Sequence, residues 1–263
     1  MGLIFSGLLI LIAPIPSHAQ LPFYTDDADT TPRNKFHLEI SDDHDLLQVS
    51  SYPTKRQNTL VFTLNYGITD KLEVGLNAPI ISFNNSRIAP RRNVSGKGDI
   101  QFGLKYNLLA EREGSKMPAL SAVFYVEAPT GSVQKQIGSG LFDYWLYGVI
   151  QKSATRKIRV RMNGGILFSG NDSTGLIGIH SERGHVYTGT ASVTRDFNSR
   201  LNLGIEIFGA VTGNFKLNRG QLTTQLGGTY ALTEKFSLAF GILGGRYSAS
   251  PRAGVILGMA YDF

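Results

Sequence analysis

The stretch Lys157-Ile158-Arg159-Val160-Arg161-Met162-Asn163-Gly164-Gly165-Ile166-Leu167-Phe168 decides the fold. Ile158, Val160, Met162, Gly164, Ile166 and Phe168 share one parity, while Lys157, Arg159, Arg161 and Asn163 share the other. Side chains of a β-strand alternate between two faces, so period two predicts a strand with one greasy and one polar side. The pattern recurs along the chain. Before it lie Phe36–Ile40, Leu60–Tyr66, Leu72–Ile80, Ile100–Leu108 and Leu120–Val126. After it lie Tyr187–Val193, Leu201–Val211, Leu222–Tyr230, Phe236–Ile242 and Ala253–Phe263. The segment from Phe142 to Ile150 is apolar on both parities, which leaves its facing open. About twelve antiparallel strands result.

A soluble β-sandwich could show the same alternation with its faces reversed, and the connections decide between the two. Counted from the first, odd-numbered gaps are long: 43–56, 84–96, 131–140, 170–184, 212–219 and 247–251. Even-numbered gaps are mostly tight, as at 67–71, 196–199 and 232–235. Long loops at one rim and short turns at the other are the layout of an outer-membrane β-barrel. Lipid also requires closure, because an open sheet edge leaves backbone N–H and C=O groups unpaired. The expected fold is therefore all-β, a single closed antiparallel transmembrane barrel with short periplasmic turns and longer extracellular loops.

Composition agrees. The 263 residues contain 30 glycines and no cysteine, which excludes disulfides and thiolate metal sites. A mean hydropathy of -0.06 is that of a soluble protein, but it is equally that of a barrel whose lumen face is polar. The formal net charge is +6, yet the longest basic cluster is Arg91-Arg92, so nucleic acid is not an expected partner.

Residues 1–19 read as a signal peptide: an apolar core from Leu3 to Ala13, breaks at Pro14 and Pro16, and a small-x-small Ser17-His18-Ala19 site before Gln20. No Lys or Arg precedes that core. Residues 20–33 form an N-terminal segment expected in the periplasm or the lumen, and 34–263 form the barrel. The expected location is the bacterial outer membrane. Tyr66, Tyr106, Tyr230, Phe236 and Tyr261 fall at strand ends on the short-turn side, as an aromatic girdle would. The chain ends on Phe263, which resembles the terminal signal read by the barrel-assembly machinery. That machinery, outer-membrane lipid with lipopolysaccharide, and a small-molecule solute are the expected partners.

Several motifs resemble a family named for the MetA pathway of phenol degradation and often labelled transporters. They are the turn Tyr66-Gly67-Ile68-Thr69-Asp70 leading into Leu72-Glu73-Val74-Gly75, Gly98-Asp99 followed by Gly103-Leu104-Lys105-Tyr106, Pro129-Thr130-Gly131, and Gly138 to Asp143. An acidic start, Tyr24 to Thr30, precedes Lys35-Phe36-His37-Leu38-Glu39. The resemblance covers most of the mature chain and implies an outer-membrane barrel with a transport role. One departure is Tyr144-Trp145-Leu146-Tyr147, bulkier than the glycine-rich strand usual after the Pro-Thr-Gly loop.

Glu73, Lys105, Glu127, Asp143, Arg159, Arg161, Glu206 and Gln225 take the polar parity and are the expected lumen-lining residues. Lys105, Lys157, Arg159 and Arg161 would either form a basic wall favouring anions or pair with Glu73, Glu127, Asp143 and Glu206. Twelve strands about 4.8 Å apart and tilted near 40° give a backbone diameter of roughly 24 Å, enough for a narrow channel. Catalytic parts are sparse. His37 and Glu39 share a face as a general-base pair or as two lumen polar groups, and the latter is the stronger reading. His180 and His185 near a long loop lack a third ligand at metal spacing. Asp26, Asp27 and Asp29 lack the glycine and distal glutamate of a calcium loop. No cofactor is expected. The functional expectation is a passive channel for small solutes, aromatic or anionic ones among them. A plugged structural or adhesion barrel is the alternative, with an outer-membrane hydrolase third.

Overall fold

The computed structural model describes residues 21–48, 55–84, 93–135, 137–138, 140–169, 184–212, 220–247 and 249–263. The signal-peptide reading and His180 lie outside these. Among the described residues thirteen strands form one antiparallel sheet: β1 Phe36–Leu46, β2 Arg56–Thr69, β3 Leu72–Asn84, β4 Asn93–Lys97, β5 Ile100–Leu109, β6 Ala119–Ala128, β7 Asp143–Ser153, β8 Ile158–Ser169, β9 Gly184–Asp196, β10 Leu201–Thr212, β11 Gln221–Ala231, β12 Phe236–Gly245 and β13 Ala253–Asp262. Twelve pair in a ring that closes where β1 meets both β13 and β2, and β4 is an extra strand on β3.

Each alternating segment of the sequence falls on one barrel strand, the last running one residue past β13 to Phe263. Four of the tight turns share a device. The side chains of Thr69, Thr155, Asn198 and Thr233 each accept the backbone N–H groups two and three residues on, at 2.8–3.2 Å. That fixes the reversal without a long loop.

The strand β4 falls in the stretch 84–96, read from sequence as loop. Asn-Val-Ser-Gly-Lys has one apolar side chain and no alternation of its own. It is a strand because β3, 13 residues long, outruns β5 and offers β4 its upper edge, Ile80 to Asn84. Likewise β1 continues to Leu46, beyond the expected start of the loop at 43. Asp43 and Asp45 are buried, while Asp42 and His44 bond to each other at 2.9 Å among exposed side chains. Polar residues on both faces hide the period there.

Facing follows the alternation. Met162, Ile205 and Leu257 are 53%, 47% and 55% exposed, whereas Arg161, Glu206 and Gln225 are 5%, 1% and 0%. The large exposed side chains of β5 to β13 are almost all apolar, the reverse of a soluble barrel. That belt puts the protein in the outer membrane, since one Arg on such a face near the bilayer midplane costs about 2–4 kcal/mol. The open facing of β7 resolves the same way: Tyr144, Leu146 and Ile150 point outward and Asp143, Trp145, Tyr147, Val149 and Gln151 inward.

The seam is closed where the first strand begins and the last one ends. Phe36 and Phe263 exchange backbone hydrogen bonds of 2.8 and 3.0 Å, and their rings stack at 5.3 Å. Just inside, His37 Nδ1 lies 2.7 Å from Asp262 Oδ1, and its Nε2 lies 3.1 Å from Glu39 Oε1.

Candidate functional site: a lumen threaded by the N-terminal segment

Residues 21–34 lead into β1 from inside the barrel. Asn34 N donates to Gly67 O at 2.8 Å at the short-turn rim. The carbonyls of Thr31 and Pro32 pass so close to Gly67 that a Cβ there would collide with both. Only glycine admits this approach. From the rim the segment runs into the lumen and is held by the wall at nearly every residue.

Glu73 accepts Thr31 N at 2.6 Å. Gln151 donates to Asp29 at 2.9 Å. Ala28 O accepts from Asn107 and Ser121, each at 2.6 Å, and the Ala28 methyl packs with Ala119, Val123 and Val149 beneath Tyr125 and Tyr147. Lys105 Nζ reaches Asp26 Oδ1 and Asp27 Oδ1, both at 2.9 Å, while Tyr147 OH donates to Asp26 Oδ2 at 3.0 Å. Glu206 takes Tyr24 N at 3.1 Å and Thr25 N at 3.0 Å on its two oxygens. Tyr24 OH donates to Asp43 at 2.9 Å, and its ring lies 4.6 Å from that of Phe208. Gln225 donates to Pro22 O at 2.6 Å. Gly227 faces Pro22, and a Cβ there would sit 2.8 Å from Pro22 Cγ. These bonds satisfy a backbone that has no sheet of its own, which a buried segment requires.

The expected lumen residues thus divide. Glu73, Lys105, Glu206 and Gln225 are buried and grip the segment. Arg161 is buried and donates from Nε to Gln151 Oε1 at 2.9 Å. Glu127 accepts from Gln101 at 2.6 Å, opposite the buried Asp143 in the β6–β7 register, and Arg159 is half-buried. Among these residues the partners of Lys105, Glu73 and Glu206 come from the segment rather than from the facing wall. Lys105 is neutralised by the segment's aspartates, and Glu73 and Glu206 hold segment N–H groups instead. A carboxylate can accept two such donors at once, each bond strengthened by the charge.

Asn107, Ser121, Tyr147 and Gln151 also hold the segment and were not among the expected lumen-lining residues. All take inward positions, which strand parity supplies, but parity alone does not say what they face. Between the segment and the walls of β1 to β3 lies a cavity of about 10 Å³, bordered by Asp27, Asp29, Thr31, His37, Asn65 and Glu73. That is room for about one water. Toward the long-loop rim the inner wall of β7 to β10 turns apolar, with Leu167, Val186 and Ala210 packed beside Trp145 and under Ala249. The bulky strand of the sequence thus places Trp145 and Tyr147 inside the barrel.

Comparison with known proteins sets this architecture among outer-membrane barrels. No curated protein matches the chain. The COG4313 outer membrane channel from Pseudomonas putida F1 has a TM-score of 0.68 at 15% identity, covering 90% of this chain and 98% of that one. The NanC porin has a TM-score of 0.56 at 11% identity, covering 85% and 98%. The KdgM porin in complex with disordered oligogalacturonate has a TM-score of 0.55 at 11% identity, covering 86% and 99%. At these identities the likeness is one of fold. The family model described as "Putative MetA-pathway of phenol degradation" matches residues 63–263, most of the barrel, and the chain belongs to that family.

Proposed function

We propose that the protein is an outer-membrane channel through which small, uncharged or aromatic solutes pass without energy input, with residues 21–33 forming its constriction. The observation that carries this reading is the composition of the inner wall. Hydrogen-bonding groups alternate there with inward rings, Tyr125, Tyr147, Trp145 and Phe208. Polar groups let a solute exchange its hydration, and ring faces suit an aromatic one. Membership of a family named for phenol degradation, and the channel and porin names of the solved relatives, point the same way.

Charge argues against the anionic alternative. Among the described residues the buried carboxylates are Asp26, Asp27, Glu39, Asp43, Asp45, Glu73, Asp99, Glu127, Asp143 and Glu206, against Lys105 and Arg161 as buried cations. A lumen so biased attracts cations. Passage rather than chemistry is also favoured by His37, whose two ring nitrogens are both engaged by carboxylates and none by a nucleophile.

Planar-bilayer recording and liposome swelling test the proposal. Discrete conductance with a reversal potential favouring cations, and swelling with small aromatic solutes, are expected. Absence of both conductance and swelling would sink it and leave the second reading, a plugged structural barrel. That reading draws on the density of bonds around residues 21–33.

A further inference from the structure

The long-loop end of β1 carries two inward acids with no counter-charge. Asp43 and Asp45 are 9% and 3% exposed and share the inner face of the strand. Side chains at i and i+2 of a strand leave Cα atoms about 6–7 Å apart on one face, so two carboxylates there can meet over one ion. Of their four oxygens one is engaged: Asp43 Oδ2 accepts from Tyr24 OH at 2.9 Å. Asp43 Oδ1 and both oxygens of Asp45 are buried without a hydrogen-bond partner among the described residues. Neither acid forms an ion pair there. The buried cations are committed elsewhere, Lys105 to Asp26 and Asp27, and Arg161 to Gln151. Glu73, Glu127 and Glu206, by contrast, each accept a hydrogen bond. The flanking strands do not supply the missing donors. Gln57 and Thr59 stand opposite Asp45 and Asp43 in the β1–β2 register, yet Gln57 Nε2 donates to Thr59 Oγ1 at 3.0 Å. On the other side Asp45 faces Gly254, where a Cβ would collide with Asp45 Oδ1.

We propose that Asp43 and Asp45 bind a hard divalent cation of the calcium class inside the long-loop end of the lumen. Buried charge persists where it is paired or ligates a metal, and no pairing group reaches Asp45. Two carboxylates, with the amide and hydroxyl oxygens of Gln57 and Thr59 on the neighbouring strand, make an all-oxygen surrounding. Calcium takes carboxylate, amide and water oxygens in flexible geometry, whereas a transition metal favours imidazole. His44 does not serve the site: it lies on the opposite face of β1, bonded to Asp42. The acidic run Asp26, Asp27 and Asp29 is a different case, because Lys105, Tyr147 and Gln151 already occupy its carboxylates. The inference does not rest on transport, and a barrel without conductance would hold the ion equally.

The test uses the purified full barrel in neutral detergent, free of lipopolysaccharide, with terbium(III) as a luminescent stand-in for calcium. Tyrosine excitation passes only to a terbium ion close by, and Tyr24 lies against Asp43. The expected result is saturable emission that excess calcium displaces, with affinity about tenfold weaker in Asp43→Asn/Asp45→Asn and unchanged in Asp42→Asn on the outer face. Calcium should also raise the temperature at which heat-modifiable electrophoretic mobility is lost in the wild type, and not in the double variant. The same mobility checks that each variant is folded. Should the double variant misfold, Asp45→Asn alone removes the acid that has no partner. No saturable emission from the folded wild type overturns the proposal and leaves the two acids to be neutralised by protons. Undiminished affinity in the folded double variant overturns it too, as does a loss confined to Asp42→Asn, which moves the ion to the outer face.

Discussion

Lys105 on β5 and Asp26 of the N-terminal segment, 79 residues apart in the chain, meet at 2.9 Å inside the barrel with side chains only 4% and 8% exposed. Asp27 completes the group at 2.9 Å. Buried charges persist only in such company, and removing one member strands the rest. Lys105→Met should cost about 3–5 kcal/mol locally and release the segment. Single-channel conductance should rise, and residues 21–33 should become accessible to added protease. Lys105→Met combined with Asp26→Asn and Asp27→Asn should recover part of the loss. A triple variant no better than Lys105→Met would refute the charge argument.

Glu206 supplies the second anchor through its bonds to Tyr24 N and Thr25 N. Glu206→Ala removes both acceptors and leaves two N–H groups unpaired, at about 1–3 kcal/mol each. Glu206→Gln keeps one acceptor oxygen and should have a smaller effect. Hydrogen exchange at the Tyr24 and Thr25 amides should accelerate in the order wild type, Gln, Ala.

The neighbouring position tests facing. Ile205 is 47% exposed on the outer wall and Glu206 is buried on the inner one. Ile205→Arg should lower the yield of folding into lipid bilayers, with a penalty of about 2–4 kcal/mol if the site lies near the midplane. Glu206→Gln should fold into bilayers normally. Equal yields for both variants would mean that the facing is misassigned.

Phe263 closes the seam by stacking on Phe36 and lies 5.7 Å from Tyr261. Phe263→Ala removes a ring from the junction of first and last strands, and should lower the temperature at which heat-modifiable mobility is lost. We propose that Phe263 is also read by the assembly machinery. That role predicts slower assembly in cells even where refolding of the purified variant into bilayers keeps its wild-type rate.

Glu111 ties the β5–β6 connection to the end of β7. Its carboxylate accepts from Lys152 Nζ at 2.6 Å, from Ser153 N at 3.0 and 3.1 Å, and from Ser153 Oγ at 3.0 Å. Partial burial pushes this carboxyl up, but the bonds from Lys152 and Ser153 outweigh it and hold Glu111 below its ordinary value. A group depressed in the folded state stabilises it above the unfolded pKa and loses that contribution as pH falls through the folded one. Exchange of the Ser153 amide should therefore speed up only as pH drops below the usual carboxylate range. In Glu111→Gln it should already be fast at neutral pH and show no such step.

The strands were legible because period two is local. Ile158 to Phe168 declare their two faces without reference to any partner, and the strand's neighbours in the barrel do not change them. Less legible were the ends where both faces are polar, as at Asp42 to Asp45, and β4, which is a strand only because β3 is long enough to receive it.

Sequence by itself determined the number of barrel strands, their facing and the membrane they suit, since each follows from alternation and from loop lengths read in order. Tertiary structure alone decided what occupies the lumen. The acidic run Asp26-Asp27-Ala28-Asp29 looks like a solvated tail until closure of the ring brings Lys105, Gln151 and Tyr147 around it. Thr25 finds Glu206 across 181 residues, and Pro22 finds Gln225 across 203. Such pairs carry no period and no fixed spacing. Each of these side chains needs a hydrogen-bond partner once buried, and only the closed barrel determines which partner is in reach.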